Sequence, residues 1–169
     1  NFLRDGLWRG DLSSYLECNG SGYVDTGWVP DSTIDFTVEI VKTKDTYQCF
    51  DGVWGTTDRL NIGTEINGNI RIDVGLTNKY LAQNGFNVTP SHVVVQYTAS
   101  NKEVQLFENG IIAYTFISDF TTPTASFQLG STSATGAVSN SQKRLFKVHT
   151  EPQDPLELYN NAVSKGLLI

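Results

Sequence analysis

The imidazoles of the two histidines and the hydroxyl of the serine in a Gly-Ser-Gly segment could each take part in catalysis or metal binding. Their positions in the sequence do not match the spacing of a known reactive site. His92 and His149 lack the H-x-x-x-H spacing of a zinc-binding helix and have no cysteine close by. We interpret each as a residue near a strand end. Gly20-Ser21-Gly22 is typical of a turn and not of the strand-to-helix elbow that carries a nucleophilic serine. These residues therefore do not support zinc or serine-nucleophile chemistry.

Carboxylates offer a second route to catalysis, through a pair that acts as acid and base. Asp35 and Glu39 share one face of the strand pattern TIDFTVEIV, but a spacing of four residues puts them about 13 Å apart. The two catalytic carboxylates of a glycosidase lie about 5 Å apart, or about 6.5 to 9.5 Å apart when a water molecule lies between them. We therefore interpret Asp35 and Glu39 as residues of a solvated strand face. A pair drawn from different strands stays open.

Composition excludes several classes of partner. The 169 residues are 39% hydrophobic and 18% charged, which indicates a globular chain with a sizeable core. The formal net charge of -6, without any run of Lys or Arg, argues against binding to nucleic acid or to an anionic membrane. No apolar segment is long enough to insert into a bilayer. The absence of Met is expected if a leader was removed or if the chain is a piece of a longer protein.

Period-two alternation runs through most of the chain and predicts strands. TIDFTVEIV and NIRIDVGL each place apolar residues on one face and polar residues on the other. Asn109-Gly110 and Asn67-Gly68 are typical of type I′ turns and predict two hairpins. One helix is expected from Asp154 to Gly166, with Pro155 in its first turn. We therefore expect an all-β fold, an antiparallel two-sheet sandwich with one short C-terminal helix, with an up-and-down barrel as the alternative.

The first residues do not follow either period. Residues 1–13 combine two arginines with five large apolar side chains, and we predict an N-terminal arm that docks on a neighbouring protein, followed by one domain over residues 14–169. The alternative is that the arm folds back and closes one end of the sandwich. The candidate docking residues are Phe2, Leu3, Arg4, Leu7, Trp8 and Arg9.

Three segments carry a resemblance to a known family: YLECNGSGYVDTGWVPDSTIDFTVEI, SHVVVQYTASNKEVQLFENGIIAYTF and KRLFKVHT. Their layout resembles the concanavalin A-like lectin/glucanase (laminin-G-like) jelly rolls of bacteriophage and bacterial surface proteins. The resemblance implies a jelly-roll sandwich. Because the family contains both enzymes and binding proteins, catalysis has to be argued from residues. Glycosidases of this fold resemble one another in an acid-x-acid triplet on one strand, and this sequence has no such triplet.

Aromatic rings beside polar side chains are the remaining candidates, because a sugar site needs a ring for its apolar face and polar groups for its hydroxyls. We favour Trp28 as an exposed ring, whereas Trp54 alternates with Phe50 and is also compatible with the core. The resemblance further implies calcium as a possible cofactor, for which Asp51 and Asp58 are candidates beside the alternative of solvated turn residues. The candidate glycan-binding residues are Trp28, Tyr47, Asp51, Trp54, Asp58, Asn78 and Tyr80.

The sequence therefore predicts a non-catalytic, surface-exposed binding or decoration module, on a phage virion or a cell surface. Its expected partners are a scaffold or capsid-type assembly and a cell-surface glycan, with no nucleic acid and no membrane insertion. The alternative is a glycan-active enzyme of the same fold. Cys18 and Cys49 are interpreted as small hydrophobic residues on strands, with a disulfide between them as the alternative.

Overall fold

A computed structural model of the protein describes residues 7–9, 16–19, 23–45, 49–64, 69–81, 90–130 and 140–169. Within these ranges the chain forms short strands and one C-terminal helix. Their bounds are β1 Leu7–Arg9, β2 Leu16–Asn19, β3 Val24–Asp25, β4 Phe36–Asp45, β5 Cys49–Val53, β6 Leu60–Thr64, β7 Ile70–Val74, β8 Thr77–Leu81, β9 Ser91–Thr98, β10 Glu103–Glu108, β11 Ile111–Ile117, β12 Gln128–Leu129, β13 Asn140–His149 and α1 Pro155–Ser164.

The strands form two sheets. Sheet A has the order β1-β13-β4-β9-β10-β11, with β2 also paired to β13, and sheet B has the order β3-β12-β5-β6-β7-β8. The strand pairs described in both sheets are antiparallel. This arrangement confirms the expected two-sheet sandwich in place of the up-and-down barrel.

The core lies between the sheets and follows the alternation of the sequence. Phe36, Val38 and Ile40 of β4 are buried in it, as the pattern TIDFTVEIV predicts. Ile34 belongs to the same pattern, but it precedes the strand and half of its surface is exposed. Sheet B contributes the inward residues of β7, Ile70, Ile72 and Val74 among them, so the two apolar faces bury each other.

Local signals predicted the Asn109-Gly110 turn and the helix correctly. Asn109 and Gly110 have φ angles of 52° and 78° and join β10 to β11, as a primed turn requires. Helix α1 starts at Pro155, and the Asp154 side chain caps it by accepting from the backbone N–H of Leu156 at 2.9 Å. The second turn signal, Asn67-Gly68, lies outside the described residues. In the part of the chain that the structure describes, no helix is long and apolar enough to cross a bilayer.

Helix α1 packs on the outer face of sheet A. Leu158 contacts Val94 and Phe107, while Ala162 packs near Val41. The helix therefore covers the middle of this sheet with its apolar side.

Because α1 covers this face, the interpretation of Glu39 as a solvated residue is wrong. Glu39 is only 4% exposed, and its carboxylate accepts from His92 Nε2 at 2.9 Å and from His149 Nε2 at 3.3 Å. Asp35, four residues earlier, accepts from the backbone N–H of Ala99 beyond the covered region. The two carboxylates of the pattern TIDFTVEIV therefore lie in different environments, Glu39 within β4 and Asp35 just before it.

The arm is described only in part. Leu7–Arg9 forms β1, which pairs with residues Leu145 to Lys147 of β13 in this chain's own sheet A. The backbone of these three residues thus folds back onto the chain's own sandwich, as the alternative predicted. A strand can pair at a sheet edge through its main-chain groups alone, so its side chains need not alternate between apolar and polar. Phe2, Leu3 and Arg4 lie outside the described residues, and the docking of the arm stays a prediction.

Cys18 and Cys49 lie on strands of different sheets. Cys18 is part of β2, which pairs with β13 in sheet A, and Cys49 is the first residue of β5 in sheet B. Both are strand residues, as expected, and the disulfide alternative stays untested.

Candidate functional site

The outer side of sheet B, which we call face B, carries polar and aromatic side chains and no helix covers it among the described elements. Its residues are those whose sequence neighbours point into the core. Cross-strand pairing aligns them in rows that run across the sheet. The two full rows are Phe50, Gly63, Arg71 and Tyr80, and Gly52, Asn61, Asp73 and Asn78.

At one end of the strands, face B ends in a stacked pair. Trp54 follows the core residue Val53, and Arg59 precedes the core residue Leu60, so alternation turns both outward. The Arg59 guanidinium carbon lies 4.9 Å from the centroid of the Trp54 ring. Arg59 Nε also donates to the carbonyl oxygen of Gly75 at 3.2 Å. The two contacts hold the guanidinium plane in one orientation.

A second pair lies in the first full row of face B. The Arg71 guanidinium carbon is 5.8 Å from the Phe50 ring centroid, and Arg71 Nε donates to Asp73 Oδ1 at 2.8 Å. Asp73 is fully buried, and its Oδ2 has no hydrogen-bond partner among the described residues. Phe50 and Trp54 are four residues apart on one chain segment, so the two arginine–aromatic pairs are separated by about 13 Å.

Gly52 lies between the two pairs and has space for no side chain. Its φ angle is 148°, and a Cβ atom there would lie 2.1 Å from the carbonyl oxygen of Leu60. The neighbouring Asn61 is fully buried in the same row. The middle of face B is therefore tightly packed, and the two arginine–aromatic pairs lie on either side of it.

Strand β8, at the edge of face B, carries exposed side chains. Tyr80 is 41% exposed and pairs in register with Arg71, while Asn78 is exposed and pairs with Asp73. The Tyr80 carbonyl oxygen accepts from the hydroxyl of Tyr114 at 2.7 Å, which ties this edge to sheet A. An aromatic ring and an amide thus stand next to the Arg71 pair.

The structure places Trp54, Asn78 and Tyr80 on this face, and it separates them from Trp28. We expected Trp28 to be the exposed ring, but it is half-buried and packs against the core. Its ring makes an edge contact with Phe36 at 5.4 Å and a tilted contact with Phe127 at 5.7 Å. Trp54, in contrast, belongs to no core cluster of the described residues. Tyr47 lies outside the described residues.

Asp51 and Asp58, the calcium candidates, have different partners. Asp51 points between the sheets, where its Oδ1 lies 3.0 Å from Lys143 Nζ and accepts from the backbone N–H of Gly130 at 2.6 Å. Asp58 accepts from the backbone N–H of Thr56 at 2.9 Å, as a turn aspartate does. The described residues contain no group of three His, Cys, Asp or Glu side chains arranged to hold a metal ion.

Sequence reasoning missed Phe50, Arg59 and Arg71. The alternation in NIRIDVGL already put Arg71 and Asp73 on the polar side of a strand, so the polar side itself was predictable. The stacking of Arg59 on Trp54 was not, because those two residues flank a loop whose closure decides their contact.

Comparisons with known proteins concern the fold. No family model matches the chain, and no curated protein matches its sequence. Among solved structures, the CBM40 module of the Ruminococcus gnavus IT-sialidase is 17% identical with a TM-score of 0.63, over 88% of this chain and 96% of that module. The same module has been solved bound to alpha2,3 sialyllactose.

Two further structures contain this fold as one part of a longer chain. A Trypanosoma rangeli sialidase is 12% identical with a TM-score of 0.68, over 98% of this chain and 32% of the sialidase. The binding domain of Paraclostridial Mosquitocidal Protein 1 is 10% identical with a TM-score of 0.67, over 94% of this chain and 46% of that structure. At such identities the likeness shows the fold alone. The chain therefore has a lectin-like β-sandwich fold, which it shares with carbohydrate-binding modules of sialidases. The expected concanavalin A-like resemblance is confirmed for this general sandwich fold.

Proposed function

We propose that the chain is a non-catalytic glycan-binding module and that face B is its binding surface, with a preference for glycans that carry a carboxylate. The observation that supports this most directly is Arg59. Its guanidinium is fixed by Trp54 and by the Gly75 carbonyl, and no carboxylate of the described residues forms an ion pair with it. A fixed guanidinium presents two parallel N–H groups, which suit a carboxylate in a bidentate arrangement.

Aromatic and amide groups supply the other contacts that a sugar needs. Tyr80 has an exposed ring for the apolar side of a sugar, and Asn78 offers both a donor and an acceptor for hydroxyl groups. The binding of sialyllactose by a module of the same fold makes sialylated glycans the first ligands to test.

Arg59→Ala is expected to weaken binding of sialyllactose by about tenfold to a hundredfold, because hydrogen bonds to charged groups are each worth about 1.5 to 3 kcal/mol. Arg59→Lys should fall between, since an ammonium keeps the charge but loses the planar pair of donors. Titration calorimetry with sialyllactose and with neutral lactose measures both effects. Lys165→Ala removes a positive charge from an exposed position on the helical side and serves as the control. Equal affinity for both sugars, or unchanged affinity in Arg59→Ala, would contradict the acidic preference.

The non-catalytic part of the proposal rests on the carboxylates of sheet B. Asp25 and Asp73 lie in the same cross-strand row, with Gln128, Gly52 and Asn61 between them. Four strand spacings of about 4.8 Å put them about 19 Å apart, well beyond the about 5 to 9.5 Å of glycosidic pairs. In addition, Asp73 is buried against Arg71. Asp25 and Asp73 therefore do not form the closely spaced carboxylate pair that a glycosidase would need on the described part of face B.

We accordingly expect no hydrolysis of sialyllactose, laminarin, agarose or carrageenan by the purified chain. Release of reducing ends or of free sialic acid over a long incubation is the measurement. Activity that disappears in Asp73→Asn would show a catalytic role for this face and would reject the proposal.

We also propose that the module faces the medium on a cell or phage particle, where it serves attachment or decoration. The formal net charge of -6 and the resemblance of three sequence segments to phage and bacterial surface domains support this placement. A scaffold or capsid-type protein would then hold the module through the arm of residues 1–13. Co-sedimentation of the chain, with and without residues 1–11, with intact particles tests this role.

A further inference from the structure

Strand β11 ends sheet A, and no described strand pairs with its outer edge. It pairs with β10 on one side and ends the strand order on the other. Ile111 is 71% exposed, Ile112 51% and Ile117 63%. None of its seven residues, IIAYTFI, is charged. Such an edge presents unpaired backbone groups and apolar side chains together, which favours pairing with another strand.

The other described edges are protected in ways that β11 is not. Strand β1 has three residues and contains Arg9, and β2 has four residues and contains Glu17. Strand β3 has only two residues. Strand β8 has five residues, with Lys79 at its centre. Short length and charge are the usual means by which proteins prevent edge pairing, so β11 differs from each of these edges.

The edge is also held in place by contacts from sheet B. Tyr114 donates to the Tyr80 carbonyl, and Lys79 Nζ lies 5.5 Å from the centroids of both Tyr114 and Phe116. Phe116 packs against the core. A bulge leaves Ala113 without a register partner on β10, so the regular ladder runs from Tyr114 to Ile117. A partner strand would thus meet a segment that is already ordered.

We infer that a second copy of this chain pairs with β11 along its own β11, antiparallel, so that sheet A continues from one copy into the other. Self-pairing suits this strand because, without charged residues, every register sets uncharged side chains opposite uncharged ones. The same patch on two copies gives a closed two-fold contact that ends with the dimer. Ile112 and Ile117 would lose exposed apolar surface on pairing.

The net charge of the chain predicts how the stability of this dimer should depend on salt. Each copy carries a formal charge of -6, so the two copies repel each other at long range while the contact itself is uncharged. Salt screens that repulsion. The dimer should therefore become tighter as ionic strength rises, whereas an interface built on ion pairs would become weaker.

Sedimentation velocity over a range of protein and salt concentrations tests the inference. The unmodified chain should form dimers at high concentration, more so in added salt. Ile117→Lys should weaken dimerisation at least about tenfold, although it lowers the net negative charge, because each copy would have to bring a hydrated ammonium into a contact that is otherwise uncharged. Ile34→Lys makes the same charge change at an exposed position in the loop before β4 and should leave dimerisation unchanged.

Hydrogen exchange gives a second readout that does not depend on hydrodynamics. Amides of β11 in the unmodified chain should exchange more slowly as the protein concentration rises, and those of Ile117→Lys should not. Circular dichroism establishes that both variants remain folded. A chain that stays monomeric at all concentrations and salts, as expected if a strand of a different protein occupies the edge, would overturn the inference. A dimer that is equally stable in Ile117→Lys would overturn it as well.

Discussion

Lys143→Met is expected to lower the free energy of unfolding by about 3 to 5 kcal/mol, the usual cost of leaving a buried charge without its partner. Lys143 and Asp51 are both fully buried, and Lys143 Nζ lies 3.0 Å from Asp51 Oδ1. The pair joins β13 of sheet A to β5 of sheet B inside the sandwich. Removal of the ammonium takes away the ion pair of the buried Asp51 carboxylate, to which the Gly130 N–H still donates. Urea unfolding at neutral pH measures the loss.

A double variant separates the loss of the pair from the loss of packing. Asp51→Asn combined with Lys143→Met removes both charges and keeps a side-chain oxygen that can accept from Gly130. The double variant should recover most of the stability that the single variant loses, because buried ion pairs contribute little over neutral groups of similar size. Lys147→Met, on the same strand but only half-buried, is the control and should change stability little. A loss below about 1 kcal/mol in Lys143→Met would contradict the buried-charge explanation.

Glu39→Gln is the second substitution with a large expected effect, about 3 kcal/mol of unfolding free energy at neutral pH. Burial by itself would raise the pKa of Glu39, but the hydrogen bonds from His149 and His92 outweigh it and lower the pKa from 4.5 to about 2. A difference of that size between unfolded and folded chain corresponds to about 3 kcal/mol. Glutamine keeps the shape and removes the charge that the two imidazoles stabilise.

The pH dependence identifies the cause. A carboxyl group whose folded pKa is depressed binds its proton more readily in the unfolded chain, so its stabilisation is complete above pH 4.5 and is lost as the pH falls towards about 2. The stability difference between the unmodified protein and Glu39→Gln should therefore shrink as the pH falls from 4.5 towards about 2. Glu151→Gln, at an exposed position, is the control. A difference that does not change with pH would mean that packing, and not ionisation, carries the effect.

These two polar contacts lie on opposite sides of sheet A. The Glu39 cluster lies beneath α1, with the Tyr159 ring 6.0 Å from the His92 ring, and the Asp51–Lys143 pair lies between the sheets. Neither is on face B. Variants of either site should therefore change stability without altering the contacts that we propose for a glycan, which makes stability and binding separable in this protein.

Short-range patterns predicted much of the fold. The alternation in TIDFTVEIV placed Phe36, Val38 and Ile40 in the core, and Asn109-Gly110 predicted the hairpin of β10 and β11. The start of α1 was readable from Asp154 and Pro155. These features were predictable because each depends on backbone preferences of neighbouring residues and on the two-residue period of a strand.

The sequence by itself determined which residues share a strand face, and only the tertiary structure decided what covers each face. Glu39 and Arg71 both lie on polar sides of strands, yet α1 buries Glu39, while Arg71 stays on face B. Asp51 became an interior ion pair because β13 brings Lys143 opposite to it from the other sheet. Packing of distant elements creates these environments, and the pattern along one strand carries no information about which element arrives on either side.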